Sequence, residues 1–475
     1  VNRPDAIPPR LTPEAIRPER LSEAYFIGIG GIGMSGLARW FARRGVRVRG
    51  YDKTPGPMTE ALAGEGIPVH FEPRPEGLPG PDALVVYTPA VPAEFPELAE
   101  ARRRGLNLHK RAAVLGALTA DRFTIAVAGT HGKTTVSAMI AHLLRHAGRP
   151  CTAFLGGVAV DLGSNFADGD DTCFVVEADE YDRSFLHLEP DVAVVTATDA
   201  DHLDIYGNEE ALREAFGAFV RQIKPQGQLV ARWGLDVHEY FSGRSRSYDL
   251  AEEAADWTVK EWRMDESGSY FTGGRTRREW HLPWPGVHNI ENALAALSVA
   301  ELLDIPEDVA AAGLASFHGI RRRFEYRVRR PDAVLIDDYA HHPREIARLM
   351  ESVRGIYGRR PVTVVFQPHL FSRTRDLAEG FAEALSRADR VLLLPIYPAR
   401  EEPMPGITSD WLAERVAARP ERRPVEVVTP DALPGRITAL RPDILLTVGA
   451  GDIDRLVDPL AEVLNARSAP DPTAP

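Results

Sequence analysis

The chain has 475 residues, 44% of them hydrophobic and 26% charged, with a formal net charge of -12. At roughly 150 residues per domain that length predicts about three domains, and the composition excludes a wholly disordered chain, a collagen-like repeat and a disulfide-stapled miniprotein. The acidic balance argues against a nucleic-acid partner, the two cysteines, Cys151 and Cys173, fit a reducing compartment and cannot build a Cys-rich zinc site, and no apolar run reaches the ~18 residues of a membrane helix.

Residues 1–21 carry five prolines and mixed charges without an apolar signal region, so they read as a flexible leader. The proline-rich stretch 468–475 reads as a flexible tail. A cytoplasmic location, away from any membrane, follows by default. Between these ends, apolar runs alternate with helix-period stretches, which predicts an α/β chain of three domains on mainly parallel sheets. The domains are expected over 22–120, 121–325 and 326–467.

The first domain opens with a strand over 25–29, a glycine turn, a helix over 34–43 and strands over 46–51 and 83–87. The turn, Gly28-Ile29-Gly30-Gly31-Ile32-Gly33, fits G-x-G-x-x-G, with Asp52 about 20 residues on. Its glycines let backbone approach a pyrophosphate, and the helix N-terminus supplies N–H donors. NAD, FAD and a nucleotide sugar all satisfy that physics, and a plain tight turn is the alternative.

The second domain starts with a strand over 123–128. The loop Gly129-Thr130-His131-Gly132-Lys133-Thr134-Thr135 follows and opens a helix with the apolar stripe Val136, Met139, Ile140, Leu143, Leu144 and Ala147. It is a phosphate cradle in which Lys133 reaches the outer phosphates of ATP and the Thr134 hydroxyl holds Mg²⁺. Val127 stands where the strict motif has its first glycine, so the loop is a shortened variant. Strands over 173–176 and 192–196 each end in acids. Glu177 is placed as a metal carboxylate in the run 177–182, and His202 as a second metal position in the run 199–204; solvated loop acids are the bland alternative. A small antiparallel sheet is expected within 226–285, then a helix over 289–303.

The third domain carries strands over 333–336, 362–366, 391–394 and 444–448, which predicts a second Rossmann-like sheet. Asp337-Asp338-Tyr339-Ala340-His341-His342 follows the first strand, and Gln367-Pro368-His369, with Arg373, the second. Paired histidines suggest zinc, but no other residue shows zinc-site spacing. An arginine among polar side chains more naturally holds a substrate carboxylate.

Together these motifs resemble the Mur ligases, the ATP-dependent amide-forming enzymes of peptidoglycan precursor synthesis. The resemblance rests on 28–36, 129–135, 177–188, 201–206, His288-Asn289 with Asn292, 322–325, 337–343 and 367–374, in family order over 25–451. It implies a UDP-sugar-binding N-terminal domain, a central P-loop ATPase domain and a C-terminal domain that binds the amino acid and closes on ATP. The alanine-adding branch is the most similar, which implies UDP-N-acetylmuramate, L-alanine and ATP as substrates. Two Mg²⁺ ions are implied, with Mn²⁺ as a substitute, in a monomer or homodimer. In a branch that recycles a whole tripeptide, the first loop typically has Cys and Phe where this chain has Gly30 and Ile32.

By the same resemblance, Gly28, Gly30, Gly31, Ile32, Gly33, Asp52 and His70 bind the UDP-sugar. Residues 129–135, His288, Asn289, Asn292, Arg323 and Asp338 bind ATP. Tyr339, His342, His369 and Arg373 line the amino-acid site, and Thr134, Glu177 and His202 hold metal. Lys133, Glu177, His202, Arg323 and His342 form the catalytic set, with His202 and His342 as candidates to deprotonate the amine. Two departures stand out. The lysine that later Mur ligases carbamoylate, about 14 residues after the metal histidine, is Phe216 here. The commoner Arg-Tyr after His369 is Leu370-Phe371.

Overall fold

The computed structural model describes residues 10–199, 206–274, 276–399 and 401–467. Strands β1 (Glu23–Ile27), β2 (Arg47–Tyr51), β3 (Val69–His70), β4 (Leu84–Tyr87) and β5 (Asn107–Lys110) form a parallel sheet in the order β3-β2-β1-β4-β5. All five residues of β1 are buried, as expected of a central strand covered on both faces. Helix α1 (Ile32–Arg43) turns Met34, Leu37, Ala38 and Phe41 inward at three- and four-residue spacing. Helix α2 (Arg111–Thr119) follows β5. The order reverses between β1 and β4, so the loops at their carboxyl ends open the crevice where such sheets take ligands.

The central sheet has ten strands: β6 (Phe123–Ala128), β7 (Thr152–Ala159), β8 (Ser164–Ala167), β9 (Cys173–Glu177), β10 (Val192–Val195), β11 (Gln228–Arg232), β12 (Arg244–Asp249), β13 (Trp257–Asp265), β14 (Gly268–Gly273) and β15 (Arg278–Leu282). Their order is β15-β14-β13-β12-β11-β10-β6-β9-β7-β8, with β7 and β8 antiparallel. The stretch 226–285 therefore does not stand apart as a small sheet. β11 pairs in parallel with β10, β12 with β11 and β13 with β12, each strand satisfying the open edge left by the one before it. Helices α3 (Lys133–His146), α4 (Glu209–Arg221) and α5 (Val287–Leu302) accompany this sheet.

The first and central sheets share one hydrophobic core, which runs from Phe26 and Phe41 through Phe154 and Phe174 to Phe219. Polar ties cross the same boundary. Arg39, 5% exposed, donates to Asn165 at 2.7 Å, and Arg44 Nε to Asp171 at 2.7 Å. The leader expected over 1–21 is tied down where it is described: Ile16 is buried in this core, with Leu11 packed against it. Apolar side chains at those two positions override the proline-rich composition. Residues 1–9 and 468–475 lie outside the described residues.

Strands β16 (Glu325–Arg330), β17 (Ala333–Asp338), β18 (Val362–Phe366), β19 (Arg390–Leu393), β20 (Val425–Val427) and β21 (Ile444–Val448) form a third sheet, β16-β17-β21-β18-β19-β20, parallel except for β16 against β17. Its helices include α6 (Pro343–Tyr357), α7 (Phe371–Asp376) and α8 (Asp454–Asn465). By contacts the chain divides into two compact units. One runs up to Trp262 and adds 270–283 and 288–319; the other holds 263–269, 284–287 and Ile320 onward. Among the described residues no helix is long and apolar enough to cross a membrane.

Candidate functional site

The first glycine loop leaves β1 with the Gly28 and Ile29 N–H groups donating to the Tyr51 carbonyl at 2.8 and 2.9 Å. α1 then begins at Ile32, after the N-cap Gly31, without a side-chain cap; the Met34 N–H turns back to the Gly31 carbonyl at 2.9 Å, and those of Ile32 and Gly33 are left at the helix end where a ligand anion would lie. Asp52 is turned onto the loop itself: Oδ2 accepts the Gly30 N–H at 2.7 Å. His70 joins a buried network in which Glu97, 0% exposed, accepts from the Tyr25 hydroxyl at 2.9 Å and the Arg74 N–H at 2.8 Å, with His70 Nε2 3.1 Å away. Burial, reinforced by the Glu97 charge, pushes the Tyr25 phenol far above its ordinary range.

In the second loop Gly132 is the N-cap of α3, in the left-handed region at φ +79°. A Cβ there would fall 2.5 Å from Asn292 Oδ1, so α5 brings Asn292 against the loop. His288 is half-buried and Asn289 is buried on the same helix. Lys133 Nζ donates to the Gly129 carbonyl at 2.8 Å and to both Glu180 oxygens at 2.9 and 2.7 Å, with Asp179 3.8 Å away. Glu177 accepts the Gly156 N–H at 2.9 Å and a hydrogen bond from the Thr134 side chain. Burial pushes Glu177 and Glu180 above the ordinary carboxylate range, with Lys133 pulling the other way. Burial alone would lower Lys133, but Glu180, Asp179 and Glu177 outweigh it and hold the ammonium above its usual value. The buried Thr130 hydroxyl finds no partner among the described residues. The Thr196 hydroxyl donates to the His131 carbonyl, and His131 Nε2 lies 3.8 Å from Asp199. His202, with 200–205, lies outside the described residues.

Glu177, Thr134 and Asp179 supply hard oxygen donors beside a phosphate cradle, a set that fits Mg²⁺. Among the described residues no three His, Cys, Asp or Glu side chains form a metal cage of their own. Gly156 is a contact the sequence reading missed. A Cβ there would lie 2.2 and 2.4 Å from the Glu177 oxygens. The carboxylate is the flexible partner, so Gly156→Ala is expected to fold normally, with turnover down about 10²-fold and a several-fold higher Mg²⁺ concentration for half-maximal rate. A magnesium titration of the variant checks this; an unchanged titration curve would refute the link between Gly156 and Glu177.

In the second unit, Arg322 and Phe324 both occupy the left-handed region, at φ +61° and +49°, on either side of Arg323. Three contacts hold them there. The Phe324 N–H donates to Asp338 Oδ2 at 2.7 Å, the Tyr339 N–H to the Arg322 carbonyl at 2.6 Å, and Arg322 Nη2 to the Gly449 carbonyl at 2.6 Å. This backbone carries the Arg323 guanidinium over the Tyr339 ring, 5.4 Å from its centroid. Asp338 also accepts the Ala340 N–H at 2.8 Å. Its burial, against the pull of Arg323, pushes its carboxyl up to about 6.

His342 is the N-cap of α6: Nδ1 accepts the Arg344 N–H at 3.2 Å. In its neutral form the ring then carries its proton on Nε2, which does not suit it to the expected role of base for the amine. The signal was in the sequence, since His342-Pro343-Arg344-Glu345 has the cap, proline at N1 and glutamate at N3. The structure brings His341 toward His369 instead, with ring centroids 6.3 Å apart. His369 stacks on Tyr397 at 5.6 Å, and Arg373 Nη1 lies 3.4 Å from its Nδ1. Tyr339 meets His341 edge-on at 5.4 Å. Leu370, in the left-handed region at φ +70°, donates its N–H to the Tyr397 carbonyl at 2.9 Å.

Three family models match the chain: "Mur ligase family, catalytic domain" over 23–123, "Mur ligase middle domain" over 127–300 and "Mur ligase, glutamate ligase domain" over 322–451. The UDP-N-acetylmuramate–L-alanine ligase of Flavobacterium johnsoniae is 44% identical over 453 residues, 94% of this chain and 98% of that one. The ligase of the same description from Cytophaga hutchinsonii is 43% identical, over 93% and 96%. Among solved structures, the UDP-N-acetylmuramate–alanine ligase of Thermotoga maritima aligns with a TM-score of 0.81 at 27% identity, covering 94% of this chain and 99% of that one. A murein peptide ligase from Psychrobacter arcticus shares the fold, with a TM-score of 0.67 at 24% identity over 94% and 100%.

Proposed function

The chain belongs to the Mur ligase family, and from that premise we propose that it joins L-alanine to the lactyl carboxylate of UDP-N-acetylmuramate at the expense of ATP, in the cytoplasm. The alanine acceptor is carried by one observation, 44% identity to an alanine-adding ligase over 94% of the chain. The reaction begins with in-line attack of the muramyl carboxylate on the γ-phosphorus, giving an acyl phosphate and ADP. Such a step needs positioning and charge neutralisation rather than a protein nucleophile. Lys133 and the N–H groups of 129–135 hold the phosphates, and ATP takes over the ammonium that Glu180 holds in its absence. Asn289 and Asn292 would take the adenine, with His288, Arg323 and Asp338 also serving ATP. Thr134 and Glu177, with His202, would hold Mg²⁺, which would supply Lewis-acid neutralisation of the phosphate charge.

Arg373 and His369 receive the alanine carboxylate, and Tyr339 and the Nε2–H of His342 orient the amino acid. Its neutral amine attacks the acyl carbon, and the tetrahedral intermediate expels phosphate, which leaves with the proton that the amine loses, to give the amide. The test is phosphate release from ATP and Mg²⁺ with UDP-N-acetylmuramate, offered L-alanine, a tripeptide or no acceptor. Release that requires L-alanine, with an amide product of the matching mass, is expected. Release with the tripeptide alone would move the chain to the recycling branch, and no release with any acceptor would refute the ligase reading.

A further inference from the structure

The last residues of the first unit are fastened by side chains that fall outside every motif read in the sequence. The short helix Glu307–Ala315 ends at Ser316, and the unit closes at Gly319. The His318 N–H donates to Asp161 Oδ2 at 3.0 Å, His318 Nδ1 lies 2.5 Å from Oδ1, and the Val160 N–H donates to the Gly319 carbonyl at 3.0 Å. Asp161 stands in the turn Val160–Leu162 that follows β7, its side chain 20% exposed. On α3, His142 Nε2 meets the Ser316 hydroxyl at 2.9 Å. That hydroxyl gives its own proton to the Gly313 carbonyl at 2.9 Å, so His142 is the donor. The His142 Nδ1, 3.5 Å from Asp161 Oδ2, is then bare in the neutral ring. Burial holds the ring below its ordinary value, with Asp161 pulling the other way. The Asp161 carboxylate is left to His318.

The two elements that carry this anchor also carry the phosphate site. α3 opens with Lys133, and β7 holds Gly156 against Glu177. From the anchor the chain reaches Arg323 quickly. Only Ile320, Arg321 and Arg322 stand between Gly319 and Arg323, which bounds their backbone separation at about 14 Å, at ~3.5 Å per residue. The Arg323 N–H donates to the Ile320 carbonyl at 3.2 Å, and Ile320 is 2% exposed, so the stretch after Gly319 is not slack. Looseness at Gly319 would therefore pass to Arg323, and misplacing a group by ~1 Å at a reacting centre costs up to about 10²-fold in rate.

On the reading that Arg323 serves ATP, we propose that Asp161 is a positioning residue for the ligase reaction: it fastens His318 and Gly319 to the elements that bear Lys133 and Gly156, and so fixes the point from which the chain delivers Arg323. The bond that does this is the one from the His318 backbone N–H. The His318 ring is 64% exposed, and an ion pair at such exposure contributes little. Asp161→Ala is expected to lower kcat about tenfold, with the Kd for ATP within about twofold of wild type. Asp161→Asn keeps a carbonyl oxygen for that N–H, and His318→Ala keeps the N–H itself, so each should hold kcat within about threefold of wild type.

Amide hydrogen exchange of the full chain gives a readout independent of turnover. A peptide covering 316–324 should exchange faster in Asp161→Ala than in wild type, and at the wild-type rate in Asp161→Asn. Kinetics are taken below the thermal midpoint of each variant, so that a fall in kcat does not report unfolded protein. A kcat for Asp161→Ala within about twofold of wild type, or Asp161→Asn as impaired as Asp161→Ala, would overturn the proposal. So would a Kd for ATP that rises as much as kcat falls, since the damage would then lie in the phosphate loop. The ligase reading fails separately, in wild type itself: no phosphate release with UDP-N-acetylmuramate and L-alanine would remove the reaction, and the role of Asp161 with it.

Discussion

Lys133→Met is expected to lower ATP-dependent phosphate release by at least 10²–10³-fold, the usual scale for removing one aimed donor of phosphate or oxyanion charge. The same substitution should also unfold the protein more easily, for a separate reason. Lys133 is bound by both oxygens of Glu180, a side chain with 0% exposure. Removing one partner of a buried pair leaves the other charge uncompensated, at a cost of about 3–5 kcal/mol. Glu177 and Asp179 lie beside it and add to the uncompensated charge. The double variant Lys133→Met/Glu180→Gln separates the two effects. It should recover most of the stability in a denaturant titration while activity stays lost. If it regained activity, Lys133 would matter only by neutralising Glu180, and its place on the phosphates would be refuted.

The parts of this site that could be read in the sequence are those whose chemistry and backbone context lie close together along the chain. Lys133 follows a six-residue apolar strand and opens a helix, and β6 spans 123–128 as the apolar run predicts. β18 and β21 likewise coincide with the runs 362–366 and 444–448. β3 has two residues, and β5 reads Asn-Leu-His-Lys without alternation, so neither left a periodic trace. Gly156 was invisible for a different reason. It meets Glu177 only because β7 runs parallel to β9 with Phe154 opposite Val176, and one sequence does not disclose register. Leu370 was flagged as a departure from the family pattern. The structure gives it a left-handed turn that starts α7 three residues before Arg373. The positive-φ pair around Arg323 had no sequence signal, since neither Arg322 nor Phe324 is a residue that favours that region.

Between about pH 4 and 6, stability and activity are expected to move in opposite directions, with Asp338 as a common cause. Its carboxyl sits at about 6, raised by burial from an ordinary value near 3.8. In that window the folded chain holds a proton on Asp338 that the unfolded chain has released. Stability contributed by this group is thus fully present below pH 3.8 and is lost as pH rises through 6, by roughly 3 kcal/mol for a shift of about two units. Activity has the reverse dependence. The ionised carboxylate accepts the Phe324 and Ala340 N–H groups and faces Arg323, so it holds the strained turn that aims the guanidinium. Protonation weakens those bonds, and kcat should fall as pH drops below about 6. Asp338→Asn isolates the effect. One of its two side-chain atoms is a donor facing a backbone donor, so kcat should drop at every pH. The stability difference from wild type should depend on pH only below about 6.5. Parallel denaturant titrations and kcat profiles of the two proteins, from pH 4.5 to 8, check both halves. A wild-type kcat flat across pH 5–7 would remove Asp338 from the control of Arg323. A stability difference independent of pH would show that its carboxyl is not raised in the folded chain.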